Sequence, residues 1–321
     1  MTEILSFAAE LVLVAWLAIL ASDPRSDRRH PGRLLCDLVG LAVPHDRAGH
    51  AMRYGHRLRV RVTGSGRAVT VDAVDGDGPT VEIKLARTAD TKADEAQITV
   101  YGLRPGYLSE LVRDGATCQI SAGLGSLSGL CTGRIVPGSY VDGVSGQDRV
   151  TSWTMLDGRA ELRDVTVSRS WTSTDSAAVW DYLVAQSGLP LGSLRPGRVV
   201  QYPRGYVMAG GWRREAERIA AATGSRFVIQ SGTLQVWPDG GTLTDRRLVL
   251  GPDQIVGDPA AVDGGRVRVA TVYTGRPVNP GDTWRIEGGE YAGIWTAEAT
   301  EWALSSGRTP SWYMTMTGRR A

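Results

Sequence analysis

Between residues 55 and 156 apolar side chains recur at every second position. The runs are RLRVRV (57–62), AVTVDAV (68–74), VEIKLA (81–86) and QITVYGL (97–103), followed by TCQISA (117–122), LCTGRIV (130–136) and DRVTSWTML (148–156). Glycine- and aspartate-rich turns separate them. A period of two bounded by turn signals predicts antiparallel strands that bury one face. A barrel or sandwich is the natural closure of such a series. Only Tyr107 to Val112 interrupts it, as a short helix.

The texture changes between about 160 and 240. Asp175 stands where it can cap a helix whose face carries Val179, Trp180, Leu183 and Val184, and Gly188 with Pro190 ends it. A second helix gathers Trp212, Ala216, Ile219, Ala220 and Thr223 on one side and stops at Gly224. RFVIQ then turns at Ser231-Gly232 into TLQVW, the spacing of a two-residue hairpin. From about 246 the alternating runs return: RRLVL, RVRVATVY, TWRIEG, YAGIWTAEATEWAL and WYMTMTGR. The predicted fold is therefore mainly β with an α+β insert. Its expected parts are an extension with an apolar helix (1–52), a first β domain (53–158), an α+β domain (159–244) and a second β domain (245–321).

The extension holds ILSFAAELVLVAWLAILA from Ile4 to Ala21, apolar apart from Ser6 and Glu10 and long enough as a helix to approach the thickness of a bilayer core. Glu3 precedes it, with no Lys or Arg, which argues against a cleaved signal peptide. Arg25, Arg28, Arg29 and Arg33 follow it, as they would in an anchor with a cytoplasmic C-terminal side. A helix buried against a partner is preferred to a span, because Glu10 near the middle of a membrane is costly.

Composition mostly removes options. The 36 basic and 34 acidic residues leave a net charge of +2, too little for attraction to nucleic acid or an anionic membrane to be the main function. Lys84 and Lys92 are the only lysines and neither follows a glycine, so no phosphate-binding P-loop exists; Asn279, the only asparagine, precedes Pro280 and is no glycosylation acceptor.

No catalytic, cofactor or metal residue is assigned. The histidines, His30, His45, His50 and His56, all precede Arg57 and read as linker residues; with Cys36 they match no ligand spacing, and Cys118 and Cys131 show no C-x-x-C motif. The chain after His56 lacks the imidazole that a Ser-His-Asp or Cys-His nucleophile needs. Gly123-Leu124-Gly125 has the wrong interval for a dinucleotide fingerprint and reads as a hairpin loop. Paired carboxylates for glycoside hydrolysis are harder to dismiss, yet apart from Glu10 no acid lies in a long apolar run, so the acids read as solvated groups on turns and strand edges. Tryptophans such as Trp153, Trp171, Trp237, Trp284, Trp295, Trp302 and Trp312 read as packing residues, since Phe7 and Phe227 are the only phenylalanines.

DEAQITVYGLRPGYLSEL, with Ala96, Ile98, Val100, Tyr101 and Leu103 in register, resembles the strand and short helix of the first domain of baseplate hub proteins of tailed bacteriophages and related contractile injection systems. Gly102 stands where that family has Asn, and both tolerate a positive φ. ATCQISAGLGSLSGLCTGRIV is similar to the family's hairpin, in which a Gly-x-Ile pair, here Gly133 and Ile135, starts the return strand. Gly257, Pro259, Pro280, Gly281, Gly293, Trp295 and Trp312 follow the order of its C-terminal phrases, although Glu298 and its neighbours replace the usual Val. GGWRREAERIAAATGSRFVIQSGTLQVWP looks like the family's α+β insert. The resemblance spans about residues 55–321.

What the resemblance implies is mechanical. The two β regions become tube-like β-barrel domains, and a homotrimer presents six such units to a sixfold tail tube and threefold symmetry to a central spike. The implied partners are other copies of the chain, a tail tube or distal tail protein, the spike and a tape measure protein, with no specific nucleic-acid sequence. The implied location is the tail baseplate of a virion, assembled in a host cytoplasm whose reducing conditions keep Cys118 and Cys131, which flank the Gly-rich turn, as buried thiols. A spike-associated peptidoglycan hydrolase and a membrane-anchored surface β protein are the alternatives.

Overall fold

The computed structural model describes residues 55–74, 78–89, 94–104, 106–112, 116–157, 162, 164–244, 247–307 and 311–321. The Ile4–Ala21 helix, with His30, His45, His50 and Cys36, lies outside them.

Alternation becomes strand wherever the sequence shows it. The first region holds β1 (His56–Gly64), β2 (Arg67–Val74), β3 (Val81–Thr88), β4 (Asp94–Tyr101), helix α1 (Ser109–Val112), β5 (Thr117–Leu124), β6 (Ser128–Ile135), β7 (Val141–Ser145) and β8 (Asp148–Asp157). In β1, β3 and β4 buried and solvent-facing residues alternate along the strand. The last region supplies β16 (Arg247–Leu250), β17 (Ile255–Val262), β18 (Arg266–Val272), β19 (Thr283–Ile286), β20 (Gly293–Ser305) and β21 (Trp312–Arg320).

These strands form one 14-stranded sheet in the order β17-β18-β21-β20-β3-β4-β8-β6-β5-β1-β2, with β7 beside β8 and the pair β16–β19 attached to β20. The link between the regions is the antiparallel ladder of β3 and β20, in which Leu85 faces Trp302 and Ile83 faces Leu304. Two separately closed barrels are therefore not what forms. Each region spends an edge on the other, because the apolar faces of β3 and β20 line up and complete one core. That core runs from Val60, Ile98 and Trp153 to Trp284, Trp302 and Met314.

The middle region folds around a core of its own. It contains β9 (Thr166–Trp171), β10 (Thr174–Asp175), α2 (Ser176–Ser187), β11 (Leu191–Leu194), β12 (Gln201–Tyr202), β13 (Tyr206–Gly211), α3 (Trp212–Thr223), β14 (Ser225–Gln230) and β15 (Thr233–Pro238). Asp175 caps α2 by accepting from the Ala178 amide at 2.9 Å, and Gly188 ends it in the left-handed conformation, the usual chemistry at each end of a helix. Trp180, Trp212 and Phe227 meet edge to face in the core, an arrangement that aromatic rings prefer. There the Trp212 indole N–H donates to the Leu183 carbonyl at 2.7 Å. Ser231 and Gly232, both with positive φ, make the two-residue turn between β14 and β15, as expected.

Candidate functional site

The N-P-G-D turn at residues 279–282 is where the middle unit meets the sheet. Pro280 offers its carbonyl to the Gln230 side-chain amide at 3.2 Å, and Gly281 accepts from the Leu243 amide at 2.6 Å. Asp282 accepts from the Thr244 hydroxyl at 2.7 Å and from the Asn279 amide at 2.9 Å, which closes the turn on itself. Gly281 has φ +91° and no room for a side chain: an added Cβ would lie 2.8 Å from the Cβ of Leu243 and 3.2 Å from the Trp237 ring. Only glycine is at ease in that conformation.

Arg87, on β3, locks this turn from beneath. Its guanidinium donates to the Asn279 side-chain oxygen at 2.6 Å, to the Ser231 hydroxyl at 3.1 Å and to Asp157 on β8. Asp94 on β4 stands 3.7 Å away and accepts instead from the Thr88 amide at 3.0 Å. The longer distance is a charge contact rather than a hydrogen bond. The side chains of Arg87 and Asp94 are each 2% exposed, and that of Asp157 is wholly buried. Burial pulls the guanidinium pKa down, but the charge of Asp157, with that of Asp94 and the Asp157 hydrogen bond, helps to outweigh it and leave Arg87 above its ordinary value. A guanidinium enclosed by its acceptors offers no face to a solute. What it supplies is a charged joint between β3, β4, β8, the β14–β15 hairpin and the 279–282 turn.

A second contact ties the same parts together nearer the surface. Glu298, beside a bulge in β20, pairs with Arg319 of β21 and lies 3.6 Å from Arg226 of β14.

At the other end of the first region β7 projects with all its residues exposed. Its base is fixed by Asp142, which accepts from the Thr151 hydroxyl at 2.7 Å, the Tyr140 hydroxyl at 2.8 Å and the Gly106 amide at 3.0 Å. Desolvation pushes this carboxyl up, but the three hydrogen bonds together outweigh it and hold Asp142 below the ordinary aspartate value.

Several expectations about individual residues need correction. His56 is no linker residue: it lies in β1, 9% exposed, its ring 4.5 Å from that of Trp312. Asp94, Asp157 and Glu215 are buried rather than solvated, the first two around Arg87 and the third against Arg218 at 2.6 Å. Gly133 and Ile135 end β6 rather than start it, at its crossing with β8; an added Cβ on Gly133 would sit 2.0 Å from the Leu156 carbonyl oxygen. Cys118 and Cys131, by contrast, are the free, buried thiols expected, Cys118 facing Gly133 and Cys131 facing Ile120.

Other residues stand as the sequence suggests. Gly102 has φ +81°; of the Gly123-Leu124-Gly125 run, Gly125 with φ +73° lies in the tight turn between β5 and β6, whereas Gly123 and Leu124 end β5, where a Cβ on Gly123 would meet the Ser126 carbonyl. Trp153, Trp237, Trp284, Trp302 and Trp312 are buried in the cores, with Trp295 stacked on Trp284 across β19 and β20 at 5.9 Å. Among the described residues no group of three or more His, Cys, Asp or Glu side chains could hold a metal ion, and no helix is long and apolar enough to cross a membrane.

The sequence matches no family model and no curated protein. The fold does have relatives. It is similar to the 43 kDa tail protein of prophage MuSo2 from Shewanella oneidensis, with a TM-score of 0.56 and 11% identity over 82% of this chain and 98% of that one. The tail protein from Neisseria meningitidis MC58 gives a TM-score of 0.55 and 15% identity over 83% and 97%. The E. coli c3393 protein, a type VI secretion component with structural similarity to phage T4 tail proteins, gives 0.53 and 12% over 75% and 73%. The chain has the fold of phage tail proteins.

Proposed function

We propose that this protein is the baseplate hub of a phage-type tail, a homotrimeric adapter between a sixfold tail tube and a threefold central spike. One observation carries the proposal: two β regions are fused through β3 and β20 into a single sheet with an α+β unit between them in sequence, in a fold similar to two phage tail proteins over nearly their whole length. Two β units per chain would give a trimer six places to meet a sixfold tube. Residues 53–158 and 245–321 form the ring and 159–244 lie outside it, fixed by the Arg87 joint. The role is structural, without catalytic, metal or cofactor chemistry, in the tail baseplate of a virion assembled in the host cytoplasm. Its partners are other copies of the chain, a tube or distal tail protein, the spike and the tape measure protein.

Light scattering of the full-length protein, with negative-stain images of the same sample, tests this reading. A three-chain mass and threefold rings are expected. A monodisperse single chain at high concentration would overturn the trimer, and failure to co-purify with the tube and spike proteins of its own particle would overturn the hub.

A further inference from the structure

Trp171 is the only described tryptophan that is not buried. It ends β9, in the ribbon that β9 makes with β13, where it stands opposite Tyr206 and Arg169 stands opposite Met208. Alternation puts Val167, Arg169 and Trp171 on one face of that strand. Val167 and Met208 lie in the core of the middle unit, and Trp171 and Tyr206 carry the same face past its margin. There the rings gather. Trp171 meets Tyr182 of α2 edge-on at 5.5 Å and Tyr206 at 6.2 Å, and Tyr206 lies 4.7 Å from Tyr202. The Tyr182 hydroxyl donates to the Ser168 carbonyl at 3.2 Å, which ties the helix to the strand. The Arg169 guanidinium lies over two of these rings, 4.8 Å from that of Trp171 and 4.9 Å from that of Tyr182. Arg218 lies 4.7 Å over Tyr206.

The two arginines differ in what else they hold. Arg218 donates to the Val207 carbonyl at 2.7 Å and pairs with Glu215 at 2.6 Å. Arg198 and Arg226 likewise end on the Ala222 carbonyl and on Asp239. Arg169 is exposed and, among the described residues, is engaged by the two rings alone. Stacking fixes its plane and leaves the fork of N–H donors around its edge open, a shape that fits a carboxylate through two parallel hydrogen bonds. A side chain already held in place loses little freedom when it binds. A sugar needs an open ring face, and Trp171, Tyr182 and Tyr206 each carry a guanidinium on one. Charge points the same way: residues 159–244 hold ten arginines, no lysine and seven acids, a net +3, while the whole chain carries +2. The basic character of the protein thus sits in the middle unit, and an acidic partner complements it. Tryptophan, tyrosine and arginine are also the residues that dominate the energetics of protein–protein contacts.

We propose that the Arg169 fork, clamped by Trp171 and Tyr182, is a docking site for an aspartate or glutamate side chain of another tail protein. The inference rests on the tail reading above and goes beyond it by giving this surface of the middle unit an occupant. The chain's only lysines are Lys84 and Lys92, so Arg169→Lys in the full-length protein puts a single new amine at the site. That variant is mixed with the tube, distal tail, spike and tape measure proteins of its own particle and treated with a carbodiimide. Position 169 is expected to become joined to one acidic residue of one of them, located by mass spectrometry. Arg169→Ala is expected to bind the same protein at least ~30-fold more weakly than wild type. A single cooperative melt is retained, because the position is exposed. Equal affinity of Arg169→Ala and wild type, or a cross-link to a second copy of the chain, overturns the site while leaving the hub in place. So does retention of polygalacturonate by wild type but not by Arg169→Ala, which would assign the fork to an acidic glycan. A wild type that binds none of the four proteins overturns the hub and the occupant of the site together.

Discussion

Asp94 and Asp157 stand directly opposite each other across β4 and β8, two buried carboxylates in one cross-strand pair. Like charges so placed are destabilising, and burial enlarges the cost. Arg87 answers both from the neighbouring strand. Its replacement by methionine leaves two uncompensated buried acids, so Arg87→Met is expected to cost on the order of 3–5 kcal/mol. The triple variant Arg87→Met/Asp94→Asn/Asp157→Asn removes the charges together and is expected to recover much of that loss. Urea unfolding of the variants checks both statements; a triple variant no more stable than the single one would show that the charges are not the source.

The turn above Arg87 gives a prediction about connection rather than total stability. Asn279→Ala removes an acceptor from a charged donor, a loss of roughly 1.5–3 kcal/mol. Gly281→Ala adds a side chain where φ is +91° and the Leu243 Cβ would be 2.8 Å away. Steric clash then adds to backbone strain, so this is expected to be the more damaging of the two. In both, amide exchange should quicken first at 230–243, where the middle unit rests on the turn. Uniform acceleration over the whole chain would mean that the turn is no joint.

Acid should loosen the β7 hairpin before the cores. The folded carboxyl of Asp142 lies below its unfolded value of about 3.8. Its contribution is therefore complete above the ordinary aspartate range and is lost as pH falls through the lower folded value. The carboxylate is exposed enough for solvent to screen it, so the effect is local. Exchange at 141–149, measured down a pH series and corrected for the intrinsic rate, should rise in the wild type and be already high at neutral pH in Asp142→Asn.

Local chemistry is legible in the sequence and long-range chemistry is not. The Asp175 cap, the Ser231-Gly232 turn and the alternation of β1, β3 and β4 each depend on neighbours a few positions away. Arg87 finds Asp157 across 70 residues and Asn279 across 192, and nothing near any of them marks the meeting. Asp94 and Asp157 sit at strand ends, where an acid reads as a turn residue. β7 leaves no signal because both of its faces meet solvent and Gly143 breaks its pattern, so VDGVS shows no alternation. The fusion of two β regions into one sheet is hidden for a related reason: the pairing of β3 with β20 joins two apolar faces from opposite ends of the described chain, and register between such distant strands is set by those faces alone.

Cys118 and Cys131 yield the last prediction. Burial pushes the Cys118 thiol up to about 12, against an ordinary value of 9.0. Burial, and then the charge of Asp157, raise the Cys131 thiol well above its ordinary value, against the opposing pull of Arg87. The thiolate is the reactive form, so neither cysteine should be alkylated in the native protein at pH 8, and both should be once it is unfolded. Peptide mapping after iodoacetamide treatment distinguishes the two from Cys36. The same shifts set a sign for alkaline stability: above about pH 9 the unfolded thiols ionise while the folded ones stay protonated, so stability falls as pH rises. In Cys118→Ala/Cys131→Ala that slope should flatten between about pH 9 and pH 11. An unchanged slope would assign the alkaline loss to other groups, and labelling of the native protein would show that β5 and β6 open far more readily than strands inside a continuous sheet should.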